Sequence, residues 1–346
     1  MLRKISGYLV AVPFLLFFIS AQPVRPVRAD RPNRDSLKAA AIVALVDRVN
    51  EDSIRYFLKR IYGQRNVFNK GAIGHADECK QFFLQTFGRC HLTTAVETIS
   101  KGNGYTFQNI TGSLPGKKAG VLVIGAHFDT VDGSPGADDN GTGLAVMLEV
   151  ARVLSGYALE KGIVLTAFDE EEDKMQGSFY FVHHYPSPAN IIGLINMDMI
   201  GYTSDKPGSQ QIPEGFDGMF PEAGKQVRKN GARGNFLVCI ANTESTFLEK
   251  AFARDAGEYV PELHRISLIV TGKGEDMPDS RRSDHANFWD SHIPALYLGD
   301  GANTRNPYYH TPKDTPDKVN YRQVTLVARA VLSLIADVCH PMAKAD

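Results

Sequence analysis

The chain of 346 residues is short of the material from which several kinds of site are made. Cysteine occurs four times, at 79, 90, 239 and 339. No two of them form a C-x-x-C pair, which argues against a thiolate zinc site or a redox dithiol. No block of Lys or Arg is present beside a formal net charge of -1, so there is no electrostatic footprint for nucleic acid or an anionic membrane. No apolar run reaches the roughly 20 residues of a comfortable transmembrane span. What remains is 43% hydrophobic and 22% charged, enough to bury a full core in one large domain. The site to look for is one for a small molecule or a peptide.

The first residues carry Arg3 and Lys4, then an apolar stretch from Tyr8 to Ile19, then Ser20 and Ala21. That is the grammar of a secretory signal peptide, with cleavage after Ala21 or Ala29. Residues 1–29 are therefore expected to be a signal peptide and a Pro- and Arg-rich leader, and 30–346 a single domain. The mature protein would be secreted or periplasmic, with no stable membrane association. An even cysteine count in an exported chain allows disulfides, and Cys79 with Cys90 is the more plausible local pair. Two N-x-[ST] sequons stand at Asn109 and Asn140.

Apolar residues at helical spacing between Ser36 and Tyr62 predict one amphipathic helix or a pair, and a second helical stretch spans Glu78 to Thr86. Beyond them the pattern becomes strands separated by Gly-rich turns: Thr94–Glu97, Tyr105–Asn109 and Val121–Ala126. From there strands at Ile163–Phe168, Ile191–Met197, Asn235–Ala241, Ile266–Thr271 and Ala295–Leu298 alternate with helices at Gly143–Leu154, Gly177–His184, Glu244–Ala256 and Arg322–Val338. Such alternation predicts a three-layer α/β fold, a mixed and centrally parallel sheet flanked by helices. The stretch from Thr203 to Gly234, rich in Gly, Pro and charge, reads as a long surface loop or insertion.

In open α/β sheets, ligands bind beyond the carboxyl ends of the strands. The first of these strands, VLVIGAHFDT, delivers His127 and Asp129, and the loop after it, DGSPGADDNGTG, delivers Asp138 and Asp139. The second strand ends in five consecutive acids, 169–173, and the third in Asp198. Later loops add Asp284, His285 and His310. Any one of these is an unremarkable turn or surface residue, but three apolar strands each ending in acids or a histidine are not. Histidine and carboxylate without cysteine form the ligand set of a hydrolytic zinc site. Carboxylates converging without a cation would repel one another, so a metal is the simplest compensation. Three carboxylates and two imidazoles suit two divalent ions.

These segments resemble the secreted dizinc aminopeptidases, co-catalytic zinc exopeptidases related to glutamate carboxypeptidases and glutaminyl cyclases. The resemblance rests on AHFDT (126–130), PGADDNGTG (135–143), EEDKMQGS (171–178), NMDMIG (196–201), SDHANFWDSHIPAL (283–296) and YYHTPKDT (308–315), in the family's order. It implies two zinc ions per chain: His127 and Asp198 on one, Glu172 and His310 on the other, and Asp139 bridging. Asp129 would orient His127, and Glu171 would be the general base and acid in hydrolysis of a peptide's first bond by a water shared between the ions. Asp284 and His285 would belong to the substrate-binding wall, since the family's ligating histidine matches His310.

Asp173 to Gln176 replace the family's usual Gly-Leu before Gly-Ser, and Glu170–Glu171 is a second register for the acid pair. The six-residue gap from Glu172 to Ser178 favours Glu171–Glu172. Alternative readings are a glutaminyl cyclase-like enzyme, a glutamate carboxypeptidase-like enzyme using Arg281 and Arg282, and a non-catalytic binding ectodomain. The partner in the leading reading is a peptide substrate. Oligomeric state and the preferred first residue are not written in these motifs.

Overall fold

The structure is a computed structural model and describes residues 34–343 apart from 103. The signal peptide and leader expected at 1–29 lie outside them. Three helices open the described chain: α1 (Arg34–Val46), α2 (Glu51–Ile61) and α3 (Lys70–Arg89). In α2 the local logic is complete. Asn50 caps the first turn by accepting from Ser53 N at 3.1 Å. Glu51 and Asp52 begin the helix and Lys59 and Arg60 end it, matching its dipole. Ile54, Phe57, Leu58 and Ile61 form the buried stripe.

Then follow β1 (Thr93–Ser100), β2 (Thr106–Leu114), β3 (Gly116–His127), α4 (Gly141–Leu154), β4 (Tyr157–Phe168), α5 (Gln176–His184) and β5 (Ile191–Met197). The remainder comprises α6 (Phe216–Met219), α7 (Pro221–Lys229), β6 (Leu237–Asn242), α8 (Thr246–Tyr259), β7 (Arg265–Val270), α9 (His285–Asp290), β8 (Ala295–Gly299), α10 (Tyr321–Cys339) and β9 (Met342–Ala343). Eight strands run in the order β1-β2-β4-β3-β5-β8-β6-β7, and β9 pairs with the start of β4. The centre β4-β3-β5-β8 is parallel. β1 and β2 add an antiparallel edge, and β6 meets β8 antiparallel. The expected mixed, centrally parallel sheet is what forms.

Alternation along the strands creates two cores. Leu122, Ile124 and Ala126 of β3 pack with α1–α4, α8 and α10 on one face. Val123, together with Phe168, Leu194, Ile240, Ile266 and Leu268, packs with α5, α6, α7 and α9 on the other. Gly125 sits under the Phe168 ring, where a Cβ would come within 2.6 Å of it. By the same alternation His127 and Asp198 share the second face, and that is the side on which the site opens.

Two sequence expectations change, and the sequons find their setting. The stretch from Thr203 to Gly234 is not a plain loop: Ser204 and Gly234 pair as an antiparallel bridge, and α6 and α7 lie between them. Cys79 and Cys90 are buried and unbonded, as are Cys239 and Cys339. The reason is α3, which places Cys79 in its middle and Cys90 at its C-cap, about 16 Å apart at the helical rise, well beyond disulfide reach. The sequon asparagines are buried structural donors: Asn109 Nδ2 donates to Gly177 O at 2.9 Å, and Asn140 Nδ2 to Met197 O at 2.8 Å.

Candidate active site

Four parallel strand ends and the loops leaving them supply the site. β3 ends on His127, the turn after β4 carries Glu171 and Glu172, Asp198 follows β5, and the connection from β8 to α10 brings His310. Asp139 lies at the centre. Its Oδ1 is 3.1 Å from His127 Nε2 and its Oδ2 is 3.1 Å from His310 Nε2. Asp198 Oδ1 stands 3.4 Å from the same His127 nitrogen, and Glu172 Oε2 stands 3.1 Å from that of His310. Two groups of three donors result, His127/Asp139/Asp198 and Asp139/Glu172/His310, each with its ligand atoms within 4.8 Å of one another. A further group, His127/Glu171/Glu172, joins them.

The electrostatics are those of a site built around cations. Burial pushes the Glu172 carboxyl up to about 7, with Asp139 adding to it, and its Oε1 is buried without a hydrogen bond. Burial likewise holds Glu171 well above the carboxylate range, with Asp198 and Glu172 acting in the same direction. Burial opposes charge on His127, yet Asp198 and Glu171 outweigh it and hold the imidazole well above its ordinary value. His310 rises to about 9 because hydrogen bonds to Asp139 and Glu172 overcome the burial. Burial also works against the Asp139 carboxylate, and the two imidazoles bring it below the usual range all the same. Negative charge is concentrated here by the fold, and positive charge must answer it.

Asp129 has a task beyond the one the resemblance implies. Its carboxylate accepts from the backbone N–H groups of Glu171 and Glu172 at 3.0 and 3.1 Å, tying the end of β3 to the turn after β4. His127 Nδ1 is nearer to the Asp129 carbonyl, at 3.2 Å, than to the carboxylate, at 3.6 Å. One residue thus orients the imidazole through its backbone and the acid pair through its side chain.

His285 lines the cavity but stands apart from the ligand groups. Its Nε2 faces Ser280 O at 2.6 Å, its ring lies edge-on to Trp289, and burial drops its pKa to about 4. Asp284 is fully buried behind that wall. Neither of its oxygens has a hydrogen-bond partner at regular geometry, and burial lifts it to about 7.

Several organising residues have roles that no motif discloses. Buried Arg65, from the connection between α2 and α3, donates to the carbonyls of Phe128 (2.7 Å), Ile61 (2.8 Å) and Gly63 (2.9 Å) and pins the loop after β3. Asp314 accepts from Asp138 N and Asp139 N at 2.9 and 3.0 Å, fixing the backbone that places Asp139 between the two imidazoles. Asp138 joins three loops, accepting from Thr142 Oγ1 (3.0 Å), Gly201 N (2.8 Å) and Asn306 Nδ2 (2.9 Å). Asp314 lies inside YYHTPKDT, so its segment, though not its role, was visible. Glu170, Met199 and His310 have φ of 60°, 54° and 57°. Each left-handed non-glycine residue costs about 1 kcal/mol or more, and these three are His310 itself and the chain neighbours of Glu171 and Asp198.

From the donors a cavity of about 150 Å³ runs into the second core. Its inner wall is apolar, with Ile212 and Phe216 from the segment between Ser204 and Gly234, Ile240 of β6, and Ile266 and Leu268 of β7. Tyr309 stands at the rim, its ring stacked on His310 with centroids 3.7 Å apart.

The sequence matches Peptidase family M28 over residues 109–335. The uncharacterized protein YfbL of Escherichia coli strain K12 is 27% identical over 301 residues, covering 82% of this chain and 86% of that protein. Aminopeptidase YwaD of Bacillus subtilis strain 168 is 30% identical over 225 residues, which is 62% of this chain and 41% of YwaD. Among solved structures, the LapA aminopeptidase of Legionella pneumophila superposes with a TM-score of 0.65 at 22% identity, covering 89% of this chain and 76% of that one. A glutaminyl cyclase of Porphyromonas gingivalis gives 0.60 at 18%, covering 84% and 98%. The last two likenesses speak for the fold. With the match covering most of the described chain, from β2 to α10, the chain belongs to peptidase family M28.

Proposed function

We propose that the protein is a dizinc aminopeptidase acting on peptides whose first residue is apolar. One observation carries the reading: a single carboxylate, Asp139, is divided between two imidazoles, each with a further carboxylate beside it. The donor set fits zinc. His127 and Asp198 would hold one ion, Glu172 and His310 the other, with Asp139 shared. Bound zinc would polarise the scissile carbonyl and lower the pKa of a water between the ions.

The chain's own residues supply the rest. Glu171, half-buried and grouped with His127 and Glu172, accepts the water's proton and returns it to the departing amine. Asp129 holds the peptide units of Glu171 and Glu172, so base and ligand stay in register. Carboxylates around the donors favour the substrate's charged α-amino group. The apolar wall behind them takes the first side chain, and burying a leucine there contributes about 2 kcal/mol.

Two complete donor groups favour hydrolysis over the single-zinc cyclase reading. The test is zinc analysis of purified protein with a panel of leucyl and glycyl anilides, N-blocked acidic dipeptides and N-terminal glutaminyl peptides. We expect about two zinc per chain and cleavage of the leucyl anilide about tenfold or more above the glycyl one. One zinc or none under metal-replete conditions rejects the dinuclear site, and exclusive cleavage of the blocked dipeptides rejects the aminopeptidase.

A further inference from the structure

Arg281 and Arg282 stand side by side before the S-D-H segment and have different surroundings. Arg281 is committed: its Nη2 is 2.8 Å from Asp290 Oδ2 and its Nη1 donates to Lys273 O at 2.6 Å. Arg282 makes no ion pair within 4.0 Å among the described residues. It is exposed at the cavity, where Nη2 donates to the Tyr309 hydroxyl at 3.2 Å and Nη1 reaches Asn303 Oδ1 at 3.4 Å. Apart from histidine it is the one cationic side chain among the described residues lining that cavity. The rim also carries Asp279, three positions earlier, and the two form no ion pair.

Neutral acceptors therefore aim this guanidinium without neutralising it. Tyr309 lies flat on His310, so the charge stands about one ring length beyond a proposed metal ligand, on the open side of the site. The first side chain of a substrate would occupy the apolar end. The chain beyond the scissile bond must leave by the mouth, past Arg282. A dipeptide presents its terminal carboxylate there, two bonds from the scissile nitrogen, and a longer peptide with an acidic second residue presents a side-chain carboxylate in the same region. A planar guanidinium with free N–H groups is the natural partner of either.

We propose that Arg282 binds a carboxylate on the leaving-group side of the substrate, so that the enzyme favours dipeptides or peptides with an acidic second residue. The inference rests on the aminopeptidase reading above. The test measures kcat and KM on Leu-Gly, Leu-Gly-amide, Leu-Asp-amide and Leu-Asn-amide for the wild type, Arg282→Met and Arg282→Lys.

We expect an acid-over-neutral preference of about tenfold or more in the wild type, carried by KM, as a charge-assisted contact gives. A preference within the Leu-Gly pair identifies the terminal carboxylate. One within the Asp/Asn pair identifies the side chain. The ratio collapses in Arg282→Met and survives in part in Arg282→Lys. Ratios within about twofold of unity in the wild type, or a preference that persists in Arg282→Met, overturn the proposal. A wild type that cleaves none of the four and no leucyl anilide instead overturns the aminopeptidase reading.

Discussion

Five consecutive carboxylates, 169–173, end β4 and each has its own surroundings. Asp169 Oδ2 accepts from Gln108 N at 2.9 Å. Glu170 and Asp173 both meet Lys101, at 2.6 and 2.8 Å, and Glu170 also takes the Tyr105 hydroxyl. The resemblance gives these three no role. Two of them are buried, and together they hold the turn from which Glu171 and Glu172 face the donors. Strand alternation stops at Phe168 and Glu170 is left-handed, so the strand itself does not aim the acid pair. The peptide N–H bonds to Asp129 do. Glu171→Ala is expected to retain zinc and lose about a hundredfold or more in kcat, whereas Glu172→Ala loses metal along with activity. Zinc content measured beside turnover separates the two, and the opposite assignment of losses would move the pair one residue back.

At the scale of elements, the β1–β2 edge reaches into the site without touching a donor. Lys101 lies in the turn joining those strands, and its ammonium is the counter-charge for the acidic turn. Lys101→Met leaves Glu170 buried without its cation. It should lower stability by about 1–3 kcal/mol and reduce kcat more than it raises KM, with Lys101→Arg restoring most of both. Thermal melts and steady-state kinetics read the two effects, and an unchanged kcat would confine Lys101 to stability.

The same scale shows what a sequence discloses. β5 was legible to the residue because a buried parallel strand is a short, continuous apolar run between turn signals. His127, Glu172 and Asp198 were legible because each stands at or just beyond the end of such a run, and Asp139 and His310 because their loops carry motifs of the resemblance. α6 and α7 were not, since their segment has no sustained period and is held by distant partners. Arg305 donates to Gln210 Oε1 at 2.8 Å and to Phe236 O at 2.6 Å. Arg65 and Asp314 were missed for a similar reason: they hold backbone groups, and backbone groups leave no mark in a motif.

For the whole molecule, the two cores divide the labour. One packs six helices against the sheet, and the other, smaller, surrounds the cavity. Acidic groups gathered at the carboxyl ends of the central strands weaken the fold unless cations answer them, so zinc removal should be felt as stability as well as activity. Chelation is expected to lower the melting temperature and zinc to restore it, since a ligand at about a thousand times its dissociation constant contributes roughly 4 kcal/mol. A melting temperature indifferent to chelator would speak against the five donors as the metal site.

The bridge between Ser204 and Gly234 has a consequence for specificity. The segment carrying Ile212 and Phe216 departs and returns through one pair of hydrogen-bonded positions. Its length and composition can change without altering the positions of β5, which carries Asp198 at its end, and β6. Exchanging that segment is expected to shift which first residue is preferred, to the extent that Ile212 and Phe216 line the cavity, while leaving the donors in place.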